Sequence, residues 1–338
     1  MYVLAIETSC DETAVSLLLE ENGKVTIVEE EISSQTAVHE QYGGVVPELA
    51  SREHLSNLPL LADAVMQKSG KRYQDLALVA VTKGPGLKGC LLIGAGFAKG
   101  LCLAHTLPML GVNHIEGHIF APWLATTELK FPYLCLVVSG GHTEIVEVQD
   151  LGRYRIVART IDDAAGEAFD KAANLLGFAY PGGARLAALA DAHRPSGKSH
   201  FRLPRVMRES QGFSFSGLKT AIALLVKKHE RELADEKVRG DLAWAVQESI
   251  VDALLFKLQQ ALASSNITQV AVSGGVSANR YLRERVTELH GVKAFFPGAR
   301  HCMDNASMIG YVGLRRFQRG ERSTPDMDVI ARWPVEEI

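Results

Sequence analysis

The chain has 338 residues, of which 47% are hydrophobic and 22% charged, and its formal net charge is −3. This length favours two domains, the composition is typical of a soluble globular protein, and the charge argues against attraction to nucleic acid over the whole sequence. The five cysteines are odd in number and scattered, so we predict neither a disulfide framework nor a cysteine-pair zinc site.

The N-terminal sequence, MYVLAIETSCDE, lacks a basic segment and becomes acidic too early for a signal peptide. No apolar stretch reaches the ~18 residues that a membrane span needs. We therefore expect a protein of the reducing cytoplasm that does not enter a membrane.

The predicted strands and helices follow one plan twice. YVLAIET predicts a buried strand, SCDET a polar turn, and AVSLLLEE and GKVTIVEEE the strands that follow. LALVAV predicts a further strand that leads through GPG into the apolar helix CLLIGAGFAKGLCLAH, and PMLGVNH leads into a helix with two histidines. The plan begins again with YLCLVVSGGHTEIVEVQD.

Continuous apolar strands that alternate with helices indicate mostly parallel sheets covered on both faces. We expect an α/β protein with two similar domains, the first formed by residues 1–108 and 304–330 and the second by residues 109–303. Helical periodicity predicts helices at 164–176, 216–228 and 241–264, and a last helix with Asp304 at its N-cap. Gly, Pro, Ser and charged residues gather at 39–54 and 193–213, which we expect to be flexible loops.

Two Ser-Gly-Gly turns, Ser139–Gly141 and Ser273–Gly275, each follow a predicted buried strand. Glycines there let the backbone approach a ligand, and free N–H groups can surround phosphate oxygens. A single such turn is more often an ordinary tight turn, but two in equivalent settings, together with the polar TSCDET turn, indicate a ligand site. The chain has no G-x-x-x-x-G-K-[ST], and no G-x-G-x-x-G follows the first strand, which disfavours P-loop and dinucleotide folds.

The segment NHIEGH places His114 and His118 about 40° apart on a helix that advances about 100° per residue, so both can face one metal. In H-E-x-x-H metalloproteases the glutamate directly follows the first histidine. Glu116 instead comes two positions after His114 and points about 200° away from it. The spacing therefore supports a metal but not a protease base.

A third ligand is available in HCMDN, where Asp304 has His301 and Cys302 beside it. Two imidazoles and one carboxylate leave open positions for substrate, as in catalytic zinc and non-haem iron sites. The alternative is that the two histidines of NHIEGH are partly buried and each satisfies a hydrogen bond.

Acidic side chains occur at two further places of interest. Asp11 and Glu12 lie on the first turn, where they either orient a water, a metal or a nucleophile or face solvent. Asp170 lies on a helix, where its partner is either a residue one turn away or a ligand hydroxyl.

Longer motifs occur in order from about residue 3 to residue 333: IETSCDET, YGGVVPELASREH, GPG, NHIEGH, VSGGHT, DDAAGEAFDKAANLLG, YPGG, FSFSGLKT, GGVSANR and DNASMIGYVG. In these motifs the chain resembles the bacterial TsaD family of tRNA threonylcarbamoyladenosine synthesis. That family belongs to the actin-like superfamily, with sugar kinases and heat-shock chaperone ATPases. The resemblance implies two similar actin-like (ribonuclease H-like) α/β domains facing each other across a nucleotide cleft.

The resemblance also implies an activity, a cofactor and partners. The activity is transfer of the threonylcarbamoyl group from threonylcarbamoyl-adenylate to N6 of the adenosine 3′ of the anticodon, in tRNAs that read codons beginning with A, with release of AMP. One divalent metal, iron(II) or else zinc, would accompany the adenylate or ATP. The partners would be tRNA, the shorter relative TsaB, the small ATPase TsaE, and TsaC or its longer variant, which makes the adenylate.

Carried over residue by residue, the resemblance implies three groups of site residues. The metal ligands would be His114, His118 and Asp304, and the acids implicated in activity would be Asp11 and Glu12. The residues that hold the adenylate would be Val137, Val138, Ser139, Gly140, Gly141, Asp170, Gly183 and Asn279, with Asp170 suited to ribose hydroxyls. Some relatives have an acid four residues after the position of Gly183; Ala187 stands there, which puts one ribose contact in doubt.

Three other functions remain as alternatives: a metallopeptidase, an ATPase or sugar kinase of the actin-like superfamily, and a nucleotide-gated scaffold without catalysis. No serine or cysteine has a recognisable base beside it in sequence, so we expect direct transfer without a covalent enzyme intermediate. A basic run is our hypothesis for a tRNA contact; it consists of Arg194, Lys198, His200, Arg202, Arg205 and Arg208.

Overall fold

The computed structural model describes residues 1–197, 199–204 and 212–338. Lys198, Arg205 and Arg208 of the basic run lie outside the described residues. The chain forms two compact units, Met1–Glu128 with Pro297–Ile338, and Leu129–Phe296. Among the described helices, none combines the length and the apolar character that crossing a membrane requires.

The strands are numbered in chain order: β1 (Tyr2–Glu7), β2 (Glu12–Glu21), β3 (Lys24–Ser34), β4 (Leu76–Gly84), β5 (Met109–Asn113), β6 (Tyr133–Val138), β7 (Thr143–Asp150), β8 (Arg153–Arg159), β9 (Gln269–Ser273) and β10 (Lys293–Phe295). The α-helices are α1 (Thr36–Glu40), α2 (Pro47–Ser69), α3 (Lys88–His105), α4 (His114–Phe120), α5 (Ala165–Leu175), α6 (Gly183–Ala192), α7 (Ser216–Lys228), α8 (Glu236–Ala263), α9 (Arg280–Thr287) and α10 (Ala306–Gln318). The helices predicted at 164–176, 216–228 and 241–264 correspond to α5, α7 and α8.

The two sheets have the same topology, which confirms the repeated plan. The first has the order β3-β2-β1-β4-β5, and the second has β8-β7-β6-β9-β10. In each, the first three strands are antiparallel and the last two join in parallel. The expectation of mostly parallel sheets was wrong, because four-residue turns at 8–11 and 139–142 join the first two strands of each sheet as hairpins, which can only be antiparallel.

The first strand of each sheet is buried on both faces, as its continuous apolar run predicts. In the first unit, Leu4 and Ile6 pack with residues of α2 and α3, whereas Ala5 faces α10. This helix lies very close to the sheet, since a Cβ at Gly310 would lie 2.9 Å from the Cβ of Ala5. Glycine is therefore required there for the close packing of α10.

The unit boundaries differ from those expected at 108/109 and 303/304. Strand β5 pairs with β4 as the edge of the first sheet, and α4 packs against α10, so both belong to the first unit. The predicted loop at 39–54 was wrong in part, because α2 begins at Pro47, a residue whose fixed φ suits the first helical position.

The start of α10 also differs from the prediction. Its N-cap is Asn305, whose side chain accepts a hydrogen bond from the Met308 amide at 2.9 Å. Asp304 stands one residue earlier, so its carboxylate does not cap the helix and turns instead towards the histidines of α4.

Candidate functional site

Three side chains of the first unit meet as the sequence predicted. His114, His118 and Asp304 each offer a ligand atom, and these atoms lie within 4.8 Å of one another. Asp304 Oδ1 is 3.0 Å from His118 Nε2 and 3.6 Å from His114 Nε2. Both histidines are buried, and their rings meet edge to face with centroids 4.7 Å apart.

The local sequence explains why the histidines stand at this point. Strand β5 ends at Asn113, whose side chain accepts hydrogen bonds from the amides of Ile115 and Glu116 and so caps α4. The helix therefore begins at His114, and the four-residue spacing brings His118 one turn further on the same face.

Glu7, the last residue of β1, fixes the orientation of His114. Its Oε2 lies 3.0 Å from His114 Nδ1 and also accepts a hydrogen bond from Thr82 Oγ1 at 2.6 Å. Although burial favours the neutral carboxyl, the charge of His114 and its hydrogen bond hold the pKa of Glu7 below its ordinary value. An ionised carboxylate can only accept, so His114 carries a proton on Nδ1 and directs Nε2 towards Asp304.

The three side chains fit a divalent metal. Ligands about 2.1 Å from a metal lie about 3.0 to 3.4 Å from one another in octahedral or tetrahedral geometry. The separation of Asp304 from His118, 3.0 Å, lies in this range, and its separation from His114, 3.6 Å, lies just above it. His118 Nδ1 is buried without a hydrogen-bond partner among the described residues, so Nε2 is the atom that the structure directs into the cluster. Burial disfavours a charged His114, but Asp304 and Glu7 outweigh burial and raise its pKa to about 9. The carboxylates around the cluster therefore favour positive charge there, and a metal that binds His114 must displace the proton of its Nε2.

His301 and Cys302, which stand beside Asp304 in sequence, have other partners. His301 Nε2 lies 3.2 Å from Glu30 Oε2, and Glu30 Oε1 accepts hydrogen bonds from the amide and hydroxyl of Ser307. Cys302 is buried with its Sγ 3.6 Å from the carbonyl oxygen of Gly298. These contacts hold the segment that carries Asp304 against β3. Of the three neighbouring residues His301, Cys302 and Asp304, only Asp304 therefore joins the cluster.

Asp11 and Glu12 lie at the end of the first hairpin turn, and both are partly buried. Burial, and then the charges of Asp304, Asp11 and Glu7, raise the pKa of Glu12 well above its ordinary value. Carboxyl groups whose pKa is raised in this way are suited to proton transfer near neutral pH.

A buried polar network holds this turn. His54 Nε2 lies 2.9 Å from the carbonyl oxygen of Cys10, which can only accept, so the His54 proton is on Nε2. Thr13 Oγ1 then donates to His54 Nδ1 at 2.7 Å, and the Gln35 amide donates to the carbonyl oxygen of Asp11 at 3.0 Å. The backbone of the acidic turn is therefore anchored to α2 and to the segment before α1.

The Ser-Gly-Gly turns lie side by side in the second unit, because β6 and β9 are parallel neighbours with Val137 opposite Ser273. Gly274 has a φ of +84°, and a Cβ there would lie 2.5 Å from the carbonyl oxygen of Val138. A Cβ at Gly140 or Gly141 would meet nothing within 4 Å. The turn that ends the predicted segment Val137–Gly141 is thus tightly held on one side and open to a ligand on the other.

Asp170 and Gly183, two of the predicted substrate residues, are in contact. Asp170 Oδ1 accepts hydrogen bonds from the amides of Gly182 at 3.0 Å and Gly183 at 2.7 Å, and so caps the N-terminus of α6. Burial outweighs these bonds and raises the pKa of Asp170. Its observed partner is therefore not a residue one helical turn away but the start of the next helix, and the contact with a ligand hydroxyl stays a prediction.

Asn279 is the N-cap of α9, and its Oδ1 accepts a hydrogen bond from the Leu282 amide at 2.8 Å. Its Nδ2 donates to Gln247 Oε1 at 2.7 Å, and Gln247 Nε2 donates to Asp191 Oδ1 at 2.8 Å. A chain of hydrogen bonds thus connects Asn279 through α8 to the end of α6. Gln247 has no solvent exposure, so this chain is internal.

The structure brings the three metal-ligand candidates together with the acidic turn in the first unit, and it places the adenylate-binding candidates in the second. Two site residues escaped prediction, Glu7 and Gln247. The available signal was a polar residue inside an apolar run, a glutamate in YVLAIET and a glutamine in LAWAVQESIV, because a buried polar group needs a partner.

Comparison with known proteins connects this site to a family. The family model described as TsaD: tRNA N6-adenosine threonylcarbamoyltransferase matches residues 26–311. A protein of Nitrosospira multiformis named tRNA N6-adenosine threonylcarbamoyltransferase is 46% identical over 345 residues, covering 99% of this chain and 98% of that protein.

Solved structures support the fold. Component A of (R)-2-hydroxyglutaryl-CoA dehydratase from Acidaminococcus fermentans has a TM-score of 0.55 at 15% identity, covering 93% of this chain and 95% of that chain. HypF from T. kodakarensis has a TM-score of 0.60 at 15% identity, covering 94% of this chain and 48% of that chain. At these identities the likeness shows the fold alone, and it confirms an α/β chain of two similar actin-like halves.

Proposed function

The chain belongs to the TsaD family of tRNA N6-adenosine threonylcarbamoyltransferases, and from this we propose the reaction and the roles of its residues. The protein transfers the threonylcarbamoyl group from threonylcarbamoyl-adenylate to N6 of the adenosine 3′ of the anticodon, in tRNAs that read codons beginning with A. The observation that carries this proposal is the full-length similarity to a named threonylcarbamoyltransferase, combined with the His114, His118 and Asp304 cluster.

His114, His118 and Asp304 would hold one divalent metal. Two imidazoles and a carboxylate suit iron(II), and zinc is the alternative. When bound, the metal supplies Lewis-acid polarisation of the carbamoyl carbonyl. Glu7 keeps the His114 proton on Nδ1, so that Nε2 stays available as a ligand.

The adenylate would lie on the glycine turns of the second unit. Val137, Val138, Ser139, Gly140 and Gly141 would approach its phosphate, since the turn is open where a ligand would sit. Asp170, with Gly183 beside it, would accept hydrogen bonds from ribose hydroxyls through the oxygen that does not cap α6. Asn279, held by Gln247, would contact the nucleoside.

In the reaction, the adenosine N6 forms a bond to the carbamoyl carbon, and the bond from that carbon to the AMP phosphate oxygen breaks. The N6 proton passes to a carboxylate of the acidic turn, for which we assign Asp11 and Glu12, and AMP leaves as an anion. Burial and the charge of Asp11 raise the pKa of Cys10 far above its ordinary value, so this nearby thiol is not a nucleophile. Direct transfer needs no covalent enzyme intermediate.

A metallopeptidase activity is disfavoured by the position of Glu116. This residue has no solvent exposure and forms an ion pair with Arg316 at 2.7 Å. It is therefore unavailable as the base that activates water in H-E-x-x-H enzymes.

We assign to this protein a cytoplasmic location and the partners of its family: tRNA, TsaB, TsaE, and TsaC or its longer variant. For TsaB we propose the apolar groove between α2 and α3, which Leu55, Leu92 and Phe97 line and where Leu55 and Leu92 are 62% and 48% exposed. A shorter relative of the same fold would present corresponding helices, and helix pairs pack through such apolar ridges. Leu92→Glu should abolish co-elution with TsaB, whereas Leu224→Glu, at a leucine of α7 that is 65% exposed, should not.

The test of the function is mass spectrometry of tRNA hydrolysates after incubation of the protein with its proposed partners, threonine, bicarbonate and ATP. We expect N6-threonylcarbamoyladenosine with the wild-type chain and none with His118→Ala. Gly217→Ala, at an open position of α7, is the matched control and should be fully active. Absence of the product with the wild-type chain in a mixture that is active with another family member would overturn the proposal.

A further inference from the structure

An ion pair lies on the side of α4 opposite to the metal-ligand candidates. Arg316 Nε is 2.8 Å from Glu116 Oε2, and Arg316 Nη2 is 2.7 Å from Glu116 Oε1, so the guanidinium grips both carboxylate oxygens. The Glu116 side chain has no solvent exposure, and that of Arg316 is 10% exposed. Arg316 also donates to Glu321 at 2.7 Å. This is a two-point contact with a fixed geometry.

Helix α4 depends on such contacts for its orientation. It has seven residues, and an isolated helix of two turns is not stable in water. Glu116 is about 200° round the helix from His114, so a grip on Glu116 limits rotation of α4 about its own axis. A rotation by one residue, about 100°, would carry both histidines out of the cluster.

Arg316, the partner of Glu116, belongs to α10, the helix that follows the third ligand candidate. Arg316 lies in the last turn of α10, and Asp304 stands just before the Asn305 that caps the same helix. The two helices are in close contact, because a Cβ at Gly117 would lie 2.9 Å from Ile309 Cδ1. The ion pair therefore connects α4, which carries two of the ligand candidates, to α10, which directly follows the segment with the third.

Stability alone does not account for a buried ion pair. Removal of two charges from water costs as much as their attraction returns, and a pair of apolar side chains of similar size is often as stable or more stable. In some proteins a buried charged pair instead defines the register between two elements.

We propose that Glu116 and Arg316 are positioning residues of the metal centre, and that their ion pair sets the rotation of α4 against α10 so that His114 and His118 face Asp304. The inference rests on the metal site of the proposed function. It assigns a role to the glutamate of NHIEGH, which distinguishes this motif from the protease helix.

The test compares metal binding by metal-free protein without tRNA or partners. In the double variant Glu116→Met with Arg316→Met, both charges are removed together and no unpaired charge stays buried. We expect its thermal midpoint to stay within a few degrees of the wild type, its affinity for Co²⁺ to fall at least tenfold, and the visible absorption of the bound Co²⁺ to change. Arg316→Lys keeps the charge but not the contact with both carboxylate oxygens, so its Co²⁺ affinity should lie between those of the wild type and the double variant.

The matched control is the ion pair of Asp252 and Arg285 in the second unit, at 3.0 Å. Asp252→Leu with Arg285→Met should leave Co²⁺ affinity and absorption unchanged. The proposal is wrong if the Glu116 and Arg316 double variant binds Co²⁺ like the wild type, and equally wrong if it does not fold, since the pair would then be structural. Co²⁺ binding that survives His118→Ala would overturn the metal site and this proposal with it, whereas loss of tRNA modification alone bears only on the proposed function.

Discussion

Glu7 Oε2 lies 3.0 Å from Nδ1 of His114, and neither side chain has more than 7% solvent exposure. The two residues are 107 positions apart in sequence, at the end of β1 and at the start of α4. A carboxylate that binds the far nitrogen of a metal-ligating histidine fixes its tautomer and raises its basicity.

Glu7→Gln should therefore weaken metal binding without removing a ligand. The glutamine keeps the size of the side chain and an acceptor oxygen but loses the charge, and we expect affinity to fall by about 10 to 100-fold. Titration of the metal-free protein with Co²⁺ or Zn²⁺ measures this. Glu144→Gln, at a buried carboxylate paired with Arg159 in the second unit, is the control and should bind metal normally. Equal affinities of the Glu7 variant and the wild type would show that His114 needs no such partner.

Two glycine substitutions near the first Ser-Gly-Gly turn should affect different properties, one the stability of the protein and the other its ligand binding. A Cβ at Gly166 would lie 2.6 Å from the carbonyl oxygen of Ser139, so Gly166→Ala should destabilise the protein by about 1 to 3 kcal/mol. Gly141→Ala meets open space and should leave the thermal midpoint unchanged while it weakens AMP binding. Thermal unfolding and calorimetric titration with AMP distinguish the two, and Gly217→Ala should change neither. If Gly141→Ala binds AMP as well as the wild type, the turn does not contact the phosphate.

Gln247→Leu should remove the contact that positions the Asn279 side chain. The substitution takes away the acceptor of the Asn279 amide and the donor to Asp191, and each buried polar group that loses its partner costs about 1 to 3 kcal/mol. We expect a lower thermal midpoint together with weaker AMP binding. Gln259→Leu, at an exposed glutamine of the same helix, is the control. A destabilised variant with unchanged AMP affinity would mean that Asn279 does not need this support.

His54 should make stability depend on pH. Burial lowers its pKa, against the hydrogen bond to Cys10 and the charges of Glu7, Asp11 and Glu53. A histidine of the unfolded chain has a pKa of about 6.5, so just below that pH the unfolded chain binds more protons than the folded chain, and stability falls as the pH falls.

The measurement is the thermal midpoint from about pH 7.5 to pH 5.5, where His54→Gln should show a smaller fall than the wild type. His290→Gln removes an exposed histidine and should follow the wild type. Parallel curves for the wild type and the His54 variant would contradict a neutral His54 in the folded protein.

The sequence predicted much of this architecture, because hydrophobic periodicity and motif spacing are local. The four-residue spacing placed His114 and His118 on one face, and the orientation of Glu116 followed from the same helix geometry. The choice between a capping and a ligating Asp304 was not local. It depended on whether Asp304 or Asn305 began α10, and both residues are good N-caps.

The residues that support the site could not be assigned from sequence. Glu7 lies in a run that reads as an ordinary apolar strand, and its partner His114 becomes its neighbour only when β4 and β5 join the sheet. The same holds for Gln247. The periodicity of its helix predicts that this side chain is buried, but it does not predict which residues the side chain contacts. Long-range pairs of this kind follow from tertiary packing, which no local pattern contains.

The hairpin turns at 8–11 and 139–142 occupy the same topological position in the two sheets. One is Thr-Ser-Cys-Asp and leads into Glu12, whereas the other is Ser-Gly-Gly-His. A chain that arose by duplication of one ancestral half would have inherited the same loop twice, and each copy could then specialise. In our proposal the acids at the end of one copy take up the N6 proton, whereas the backbone amides of the other approach the adenylate phosphate, and a single loop could not have been selected for both.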